Sequence, residues 1–233
     1  MRQIMLDTET TGFDPLTGDK IVEIGAVEMI KRKLTDNNYH QYVQPERLVP
    51  LDAIAIHGIT DDFLKGKPTF REVADEFMEY VAGAELIIHN APFDVGFINH
   101  ELSLMKHNRW GKIEDHCTIT DTLKMARRMY PGQRNSLDAL CRRLYVDNSN
   151  RTLHGALLDS EILADVYLMM TGGQTKLSLA SGDGEQSDAG YTVSKISRDR
   201  LPLKVLYASE DELDRHQSKL AEIGKKAGKT LSW

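Results

Sequence analysis

Apolar and polar positions along this chain follow two different periodicities. Short apolar or alternating runs occupy residues 4–6, 20–28, 38–44 and 85–89, and such runs are typical of strands. The polar segment 31–37 joins the second run to the third, which predicts an antiparallel meander of the first three strands. The fourth run is short and apolar at its centre, which indicates a buried strand.

Helical spacing of apolar residues marks the remaining segments. The residues at this spacing in the first of them are Val73, Ala74, Phe77, Met78 and Val81. Pro92 falls in the first turn of a second helix, where its missing N–H would have no partner in any case. Further helices are predicted over residues 122–129, 136–144 and 155–170. Together these elements predict an α/β fold in which a mixed central sheet is flanked by helices.

The composition changes at a pair of glycines. Residues 172–190 contain five Gly and three Ser but few large apolar side chains, which is typical of a flexible linker. We therefore predict a folded domain over residues 1–173, a linker over residues 174–191 and a C-terminal segment over residues 192–233.

The C-terminal segment is too short to bury a hydrophobic core of its own. Residues 203–207 are typical of a strand, and Ser209 followed by the acidic residues 210–212 is typical of a helix N-terminus. We expect this segment to fold on a partner.

Composition excludes membrane and disulfide-rich classes. The hydrophobic fraction of 41% and the charged fraction of 27% are those of an ordinary globular protein. No apolar run reaches the length of about 18 residues that a membrane helix needs, and Asp7 comes too early for a secretory leader. Cys117 and Cys141 suit buried small side chains in a reducing compartment. We therefore expect a cytoplasmic protein.

Charge is distributed unevenly along the chain. The net charge is −6, with −9 in the first 193 residues and +3 from Ser194 onward. An acidic body argues against a protein that holds nucleic acid by bulk electrostatics. Affinity for a polyanion would have to come from metal ions and from partners.

Four acids and one histidine carry the candidate chemistry. Asp7 and Glu9 follow the first apolar run two residues apart, so on a strand both side chains leave the same face. Asp94 lies in the first turn of the helix predicted after residues 85–89. His154 and Asp159 would lie roughly 140° apart in one helix, so we place His154 on the preceding loop and Asp159 one turn inside the helix. Clustered carboxylates of this kind suit Mg²⁺ or Mn²⁺.

Each of these residues also has a commoner explanation when it is taken alone. Acids are frequent in surface turns, an acid at a helix start commonly interacts with the helix dipole, and a loop histidine is usually solvated. Taken together and in this order, Asp-x-Glu, Asp and His-x4-Asp indicate a catalytic site far more specifically than any one of them does alone.

This ordered set resembles that of the DEDDh exonuclease superfamily and, within it, the family of epsilon proofreading subunits of bacterial DNA polymerase III. The similarity covers the first 171 residues densely and continues more loosely to the end. The matching stretches are residues 6–12 (LDTETTG), 24–28 (IGAVE), 57–59 (HGI), 89–94 (HNAPFD), 135–141 (NSLDALC) and 152–159 (TLHGALLD).

The resemblance implies a ribonuclease H-like exonuclease fold and two divalent cations, Mg²⁺ or Mn²⁺. In the family pattern, Asp7, Glu9 and Asp159 are the main ligands, Asp94 holds the second ion directly or through water, and His154 is the general base. A pair of ions can activate water and stabilise the departing 3′-oxygen. An imidazole of ordinary pKa, near 6.5, can accept the proton of that water at neutral pH.

The same resemblance implies contacts to the terminal nucleotide of a DNA 3′ end, from Asp7, Glu9, Asp159, Asp52 and His57. A close relative carries Glu where this chain has Asp52, which makes that contact less secure. His57 also has an explanation as an ordinary loop histidine. A mispaired terminus frays at lower cost and so reaches a single-strand site more readily.

Partners are implied by the residues after the folded domain. Gln174, Leu177 and Leu179 resemble the short motif with which bacterial replication proteins bind the sliding clamp, although the usual aromatic residue is absent and Leu179 stands there. Residues 192–233 would bind the polymerase alpha subunit. Some relatives also bind a small accessory (theta-like) subunit, and the resemblance leaves open whether this chain does. A linker of about 15 residues would keep the nuclease at about millimolar effective concentration near the primer end.

Two other functions compete with DNA proofreading. An RNA 3′ exonuclease of the same superfamily would share the carboxylates but predicts no separate C-terminal segment. A non-catalytic assembly module would retain the fold without needing the complete set of acids and histidine.

Overall fold

The computed structural model describes residues 2–151, 153–172 and 207–228. One compact unit contains the described residues up to 172, and a second contains a single described helix. The predicted linker, the motif of Gln174, Leu177 and Leu179, and residues 203–206 of the predicted C-terminal strand lie outside the described residues.

Six strands of the described chain form one mixed sheet. Their bounds are Arg2–Thr10 (β1), Ile21–Ile30 (β2), Lys33–Leu34 (β3), Tyr39–Tyr42 (β4), Glu85–Ile88 (β5) and Thr118–Asp121 (β6). β1 pairs antiparallel with β2 and parallel with β5, which in turn pairs parallel with β6. β2 also pairs antiparallel with β3 and β4. The predicted mixed sheet and its antiparallel meander are confirmed.

Helices of the first unit cover both faces of this sheet, and the second unit contains one further described helix. Their bounds are Leu51–His57 (α1), Asp61–Leu64 (α2), Phe70–Val81 (α3), Ala91–Ser103 (α4), Thr122–Met129 (α5), Leu137–Leu144 (α6), Ala156–Gly172 (α7) and, in the second unit, Glu210–Ala227 (α8). All five helices predicted in the first unit form, and those predicted to start at residues 122, 136 and 155 begin within one residue of these positions. The apolar residues of α3, α5 and α6 lie on one face, which decides the side that is buried.

Some elements differ from the sequence prediction. β1 extends to Thr10, so Asp7 and Glu9 lie inside the strand rather than after its end. The short strands β3 and β6 and the short helices α1 and α2 were not predicted.

Alternating residues of β1 divide the core into two layers. Ile4 and Leu6 pack in the cluster that contains residues of α3 and α4. Met5 points to the opposite face, where it packs with Leu163 and Tyr167 of α7. Because side chains alternate along a strand, the next odd-numbered residues of β1 face α7 as well.

The second unit contains a well-capped helix. The Ser209 hydroxyl accepts from the Glu212 N–H, and the Glu212 carboxylate accepts from the Ser209 N–H, which confirms the predicted helix start. Within residues 2–172 and 207–228, no helix combines the length and apolar character that a membrane crossing requires.

Candidate active site

Strand direction brings the candidate residues to one edge of the sheet. β1, β5 and β6 run parallel, and Leu6, Ile88 and Asp121 lie side by side, with Ile88 and Asp121 ending their strands while β1 continues to Thr10. The helices that follow β5 and β6 begin at this edge. In sheets of this kind, ligands bind outside the carboxyl ends of the strands.

Asp7 and Glu9 lie on the face of β1 that α7 covers. Both follow Met5 at a spacing of two residues, so the three side chains leave the strand in the same direction. On β2, Asp7 is paired with Gly25 and Glu9 with Glu23. The predicted shared face of these two carboxylates is confirmed.

Asp94 reaches the same region from the first turn of α4. Its carboxylate is 2% exposed and accepts hydrogen bonds from the Thr8 N–H at 3.1 Å and the Thr8 hydroxyl at 2.7 Å. Asn90, before the helix, adopts a left-handed conformation with φ of 71°. Two bonds from one residue of β1 fix the position of Asp94 beside the strand that carries Asp7 and Glu9.

Helix α7 comes unusually close to the sheet at Gly25. A Cβ atom at this position would overlap the backbone of Ala156 and Leu157. The Ser160 hydroxyl donates to the Gly25 carbonyl at 2.9 Å, and the Ala156 N–H donates to the buried Glu23 carboxylate at 3.1 Å. The first turn of α7 is therefore held directly against β2.

His154 and Asp159 are arranged as the sequence predicted. His154 lies on the loop before α7, where its N–H donates to the Ile56 carbonyl at 3.1 Å, and its side chain is 47% exposed. Asp159 lies in the first turn of the helix and is 3% exposed. Its Oδ2 atom lies 3.4 Å from the His154 Nδ1 atom.

Arg151 ties these two residues together. Its Nε donates to Asp159 Oδ1 and its Nη2 to Asp159 Oδ2. The same Nη2 lies 2.8 Å from His154 Nδ1, and Nη1 donates to Asp138 at 2.7 Å. A guanidinium only donates, so Nδ1 accepts and a neutral His154 carries its proton on Nε2. Nδ1 can accept a proton only after Arg151 has moved away from it. Nε2 can accept one only if the ring proton lies on Nδ1 instead, which also requires that Arg151 release Nδ1.

The carboxylates can supply the ligands of a metal ion. Glu9, His154 and Asp159 offer ligand atoms that lie within 4.8 Å of one another. Asp7 and Asp94 line the same cleft of about 610 Å³. Hard oxygen donors with one imidazole suit a divalent cation.

Burial and mutual repulsion raise the pKa of three of these acids. Burial, reinforced by the charges of Asp94, Glu9 and Asp159, raises the pKa of Asp7 well above its ordinary value. Burial and the Asp159 charge raise the pKa of Glu9 to about 8. Burial likewise raises the pKa of Asp94 to about 7, although its bonds from Thr8 oppose the shift. A cation among them would relieve this repulsion.

Asp159 behaves differently from the other three acids. Burial alone would raise its pKa, but the nearby His154 ring and the hydrogen bonds and charge of Arg151 hold the pKa below its ordinary value. Asp159 is therefore ionised at neutral pH and already carries a cationic partner.

A second pocket adjoins the first. It has a volume of about 520 Å³ and shares Thr8, Glu9 and Phe93 with the main cleft. Asp52 and His57, which the family resemblance assigns to nucleotide contacts, both line it.

His57 is not a loop residue, as its commoner explanation held, but the last residue of α1. Its Nδ1 accepts from the Ile59 N–H at 3.0 Å, while its buried Nε2 has no hydrogen-bond partner among the described residues. Burial lowers the pKa of His57, which favours a neutral ring.

Three residues of the site were missed in the sequence. Thr8 is the variable position of the Asp-x-Glu pattern, Glu23 lies within a predicted strand, and Arg151 stands one residue before the matching stretch 152–159. Arg151 could have been sought, because a buried carboxylate next to other acids requires a positive partner. No comparable signal marks the hydroxyl of Thr8.

Comparison with known proteins agrees with this geometry. The sequence profile of the RNase T family, described as exonuclease, matches residues 4–167. The chain is 53% identical over 235 residues to the DNA polymerase III subunit epsilon of Escherichia coli (strain K12), covering 99% of this chain and 96% of that protein. It is 52% identical over 248 residues to the subunit epsilon of Haemophilus influenzae, covering 100% and 94%.

Among solved structures, exonuclease X in complex with 5′ overhanging duplex DNA is similar, with a TM-score of 0.56 and 28% identity. The match covers 73% of this chain and 91% of that one. The residues that match the family profile lie in the first unit, where the carboxylate cleft lies.

Proposed function

The chain belongs to the exonuclease family and, within it, to the DNA polymerase III epsilon subunits, and on this premise we propose how its residues act. It is a 3′→5′ exonuclease that proofreads for a bacterial replicative DNA polymerase, hydrolysing the terminal phosphodiester to release deoxynucleoside monophosphates. One observation carries the assignment of roles: distant parts of the chain bring Asp7, Glu9, Asp94, His154 and Asp159 to one cleft.

Divalent metal ions are general in this family, and the donor set of this cleft fits them. Asp7, Glu9 and Asp159 would hold the ions, with Asp94 holding the second directly or through water. We favour Mg²⁺ or Mn²⁺ because the donors are carboxylate oxygens. When bound, two such ions lower the pKa of water and stabilise the leaving 3′-oxygen.

His154 is the general base in this proposal. It lies half exposed at the mouth of the cleft and on a loop, so it can turn toward the water that attacks the phosphorus atom. The water gives its proton to the imidazole once Arg151 has released Nδ1, and the oxygen–phosphorus bond forms as the bond to the 3′-oxygen breaks. The same release of Arg151, which must precede this step, frees Asp159 to act as a ligand.

The adjoining pocket receives the terminal nucleotide. Asp52 lies at its exposed rim and His57 on its wall. Glu9 lines both this pocket and the carboxylate cleft, so the two sites adjoin at Glu9. The pocket accepts an unpaired nucleotide, so a frayed mismatch enters at lower cost than a paired terminus. Recognition of the mismatched base itself is unnecessary.

Release of labelled nucleotides tests the activity and its substrate. Purified protein is incubated with 3′-labelled single-stranded DNA or RNA, in Mg²⁺ or in EDTA. We expect DNA nucleotides to be released in Mg²⁺ and not in EDTA. Asp159→Asn should lower the rate by several orders of magnitude, whereas Asp165→Asn, on the exposed side of the same helix, should not.

The same assay separates the competing functions. Equal or faster digestion of RNA would favour an RNA 3′ exonuclease, and absence of any release would favour a non-catalytic assembly module. The complete set of carboxylates with His154 in one cleft argues against the second alternative.

The remaining parts of the chain are proposed to provide assembly. Residues 1–173 form the exonuclease domain, residues 174–191 a linker whose Gln174, Leu177 and Leu179 bind the sliding clamp, and residues 192–233 the segment that binds the polymerase alpha subunit in the cytoplasm. The capped helix α8 within that last segment supports the proposal. A theta-like accessory subunit is a further candidate partner for the nuclease domain.

Truncation tests the role of the C-terminal segment. Deleting everything after Gly190 should leave the nuclease activity of the first domain intact but abolish co-purification with the polymerase. Co-purification that survives the deletion would contradict the proposed role of residues 192–233.

A further inference from the structure

Arginines line the cleft as well as carboxylates. Arg127, in the last turn of α5, and Arg134, on the loop before α6, line the same cavity as the carboxylates. We call this pair the arginine rim. Both side chains are exposed.

The arginine rim lacks the carboxylate partners that four arginines of the described chain have. Arg2, Arg47, Arg109 and Arg151 each lie within 4.0 Å of a carboxylate oxygen. Within the described part of the chain, no carboxylate oxygen lies that close to the guanidinium of Arg127 or Arg134. In a domain with an excess of acids, two such arginines beside a cleft are available for an anionic ligand.

The loop that carries Arg134 is fixed by its own hydrogen bonds. The buried Asn135 side chain donates from Nδ2 to the carbonyls of Tyr130 at 3.2 Å and Gln133 at 3.0 Å. Arg143 donates to Asn135 Oδ1 at 3.1 Å and to the Arg134 carbonyl at 2.8 Å, and its guanidinium lies 4.5 Å from the centre of the Tyr130 ring. The Arg134 backbone is thus held in place while its side chain remains at the cleft.

We propose that the arginine rim binds backbone phosphates of the degraded strand on the 5′ side of the scissile bond. This inference rests on the proposed function, because the scissile phosphate must lie at Asp7, Glu9 and Asp159. The strand must continue away from the carboxylates within the cleft, and besides Arg151 the arginines that line this cleft are those of the rim. Guanidinium groups match phosphate oxygens with paired donors.

Binding of these phosphates offsets the electrostatic repulsion between the four carboxylates and a nucleic-acid strand. A polyanion approaching four carboxylates is repelled unless metal ions and nearby cations compensate. While the strand approaches, Arg151 is still paired with Asp159 and Asp138 and so contributes little free positive charge. The rim lets the enzyme hold a strand of several nucleotides more tightly than a substrate that has only the scissile phosphate.

Substrate length provides the test. The ratio of kcat/KM for a hexanucleotide to that for a dinucleotide is measured in wild type, in Arg127→Gln, in Arg134→Gln and in the double variant. A dinucleotide carries only the scissile phosphate. Each single change should lower the ratio roughly threefold to tenfold, mainly through KM for the hexanucleotide. The double variant should lose most of the preference for length.

The salt dependence of kcat/KM gives a second readout, because a smaller fraction of folded enzyme would lower kcat/KM but would not change its slope against salt. Each phosphate contact removed should reduce the slope of log(kcat/KM) against log[salt] by about 0.7 for the hexanucleotide. Arg128→Gln is the matched control, since Arg128 is exposed in the same turn of α5 but does not line the cleft. It should keep both the ratio and the slope.

The outcomes separate this inference from the proposed function. A wild-type enzyme that cleaves neither substrate would overturn the proposed function. If wild type cleaves both and the rim variants keep the length ratio, or if Arg128→Gln lowers it equally, the arginine rim does not bind the upstream phosphates.

Discussion

At the scale of single residues, Arg151 is the main compensating charge of the acidic cleft. Its side chain is 8% exposed and that of Asp159 is 4% exposed, so neither ion is well solvated. Removing one partner of a buried pair leaves the other charge without compensation. Arg151 therefore determines whether Asp159 is ionised before any cation arrives.

Arg151→Gln is expected to destabilise the protein in EDTA. The unfolding free energy, measured by urea denaturation, should fall by about 3 kcal/mol because Asp159 remains buried without its cation. Arg109→Gln is the control, since Arg109 pairs with exposed carboxylates and its loss should change stability little. Equal stability of the two variants would show that Arg151 does not compensate Asp159.

The sequence identified the acids and His154 but not the residues that hold them. Asp7, Glu9 and Asp159 could be predicted because the ordered set resembles that of a known exonuclease family, while strand periodicity predicted only that Asp7 and Glu9 share a face. Arg151 and Thr8 act across distances of 8 and 86 residues in the chain, through hydrogen bonds that no local pattern encodes. Such supporting contacts appear only once the fold has brought the elements together.

At the scale of elements, Gly25 sets the distance between α7 and the sheet. Its missing Cβ lets the first turn of α7 approach β2, and this turn carries Asp159. The helix cannot move away without shifting Asp159 relative to Glu9 on β1. A displacement of about 1 Å in a catalytic group can cost a hundredfold in rate.

Gly25→Ala should therefore reduce both stability and activity. We expect a loss of about 1–3 kcal/mol in unfolding free energy from overpacking, and a fall in kcat of at least tenfold. Gly96→Ala, on α4, is the matched control because a Cβ there meets nothing within 4 Å. That change should be neutral or stabilising by about 0.5–1 kcal/mol. Unchanged kcat in Gly25→Ala would refute the spacing argument.

Element prediction succeeded where many residues share one periodicity and failed for short elements. The 12 residues of α3 bury one clear face, whereas β6 has four residues with three polar side chains and forms only by pairing with β5. Helix α1 begins after Pro50 without a side-chain cap and exposes Leu51 and Ile56. Long-range pairing and packing, rather than local sequence, decide such elements.

At the scale of the whole molecule, the acidic cleft makes stability depend on pH. Asp7, Glu9 and Asp94 have raised pKa values in the folded state, so the folded protein binds protons more tightly than the unfolded chain does. Their contribution to stability is present below the ordinary carboxyl pKa and is lost as the pH rises through the folded values, about 7 for Asp94 and about 8 for Glu9.

The melting temperature in EDTA should accordingly fall between pH 6 and pH 9. Saturating Mg²⁺ at pH 9 should restore it, because a cation replaces the lost protons. Glu9→Gln should show a smaller decline, since it removes one of the titrating groups. A melting temperature that is constant or rises over this range in EDTA would contradict the raised pKa values.

Direct binding of a divalent ion tests the central claim that the carboxylates converge to form a metal site. Mn²⁺ is titrated into the protein and the free ion is followed by electron paramagnetic resonance. Wild type and Asp165→Asn should bind Mn²⁺ equally, and Asp7→Asn, which retains the fold, should bind it at least tenfold more weakly. Equal affinity in Asp7→Asn and wild type would contradict the account.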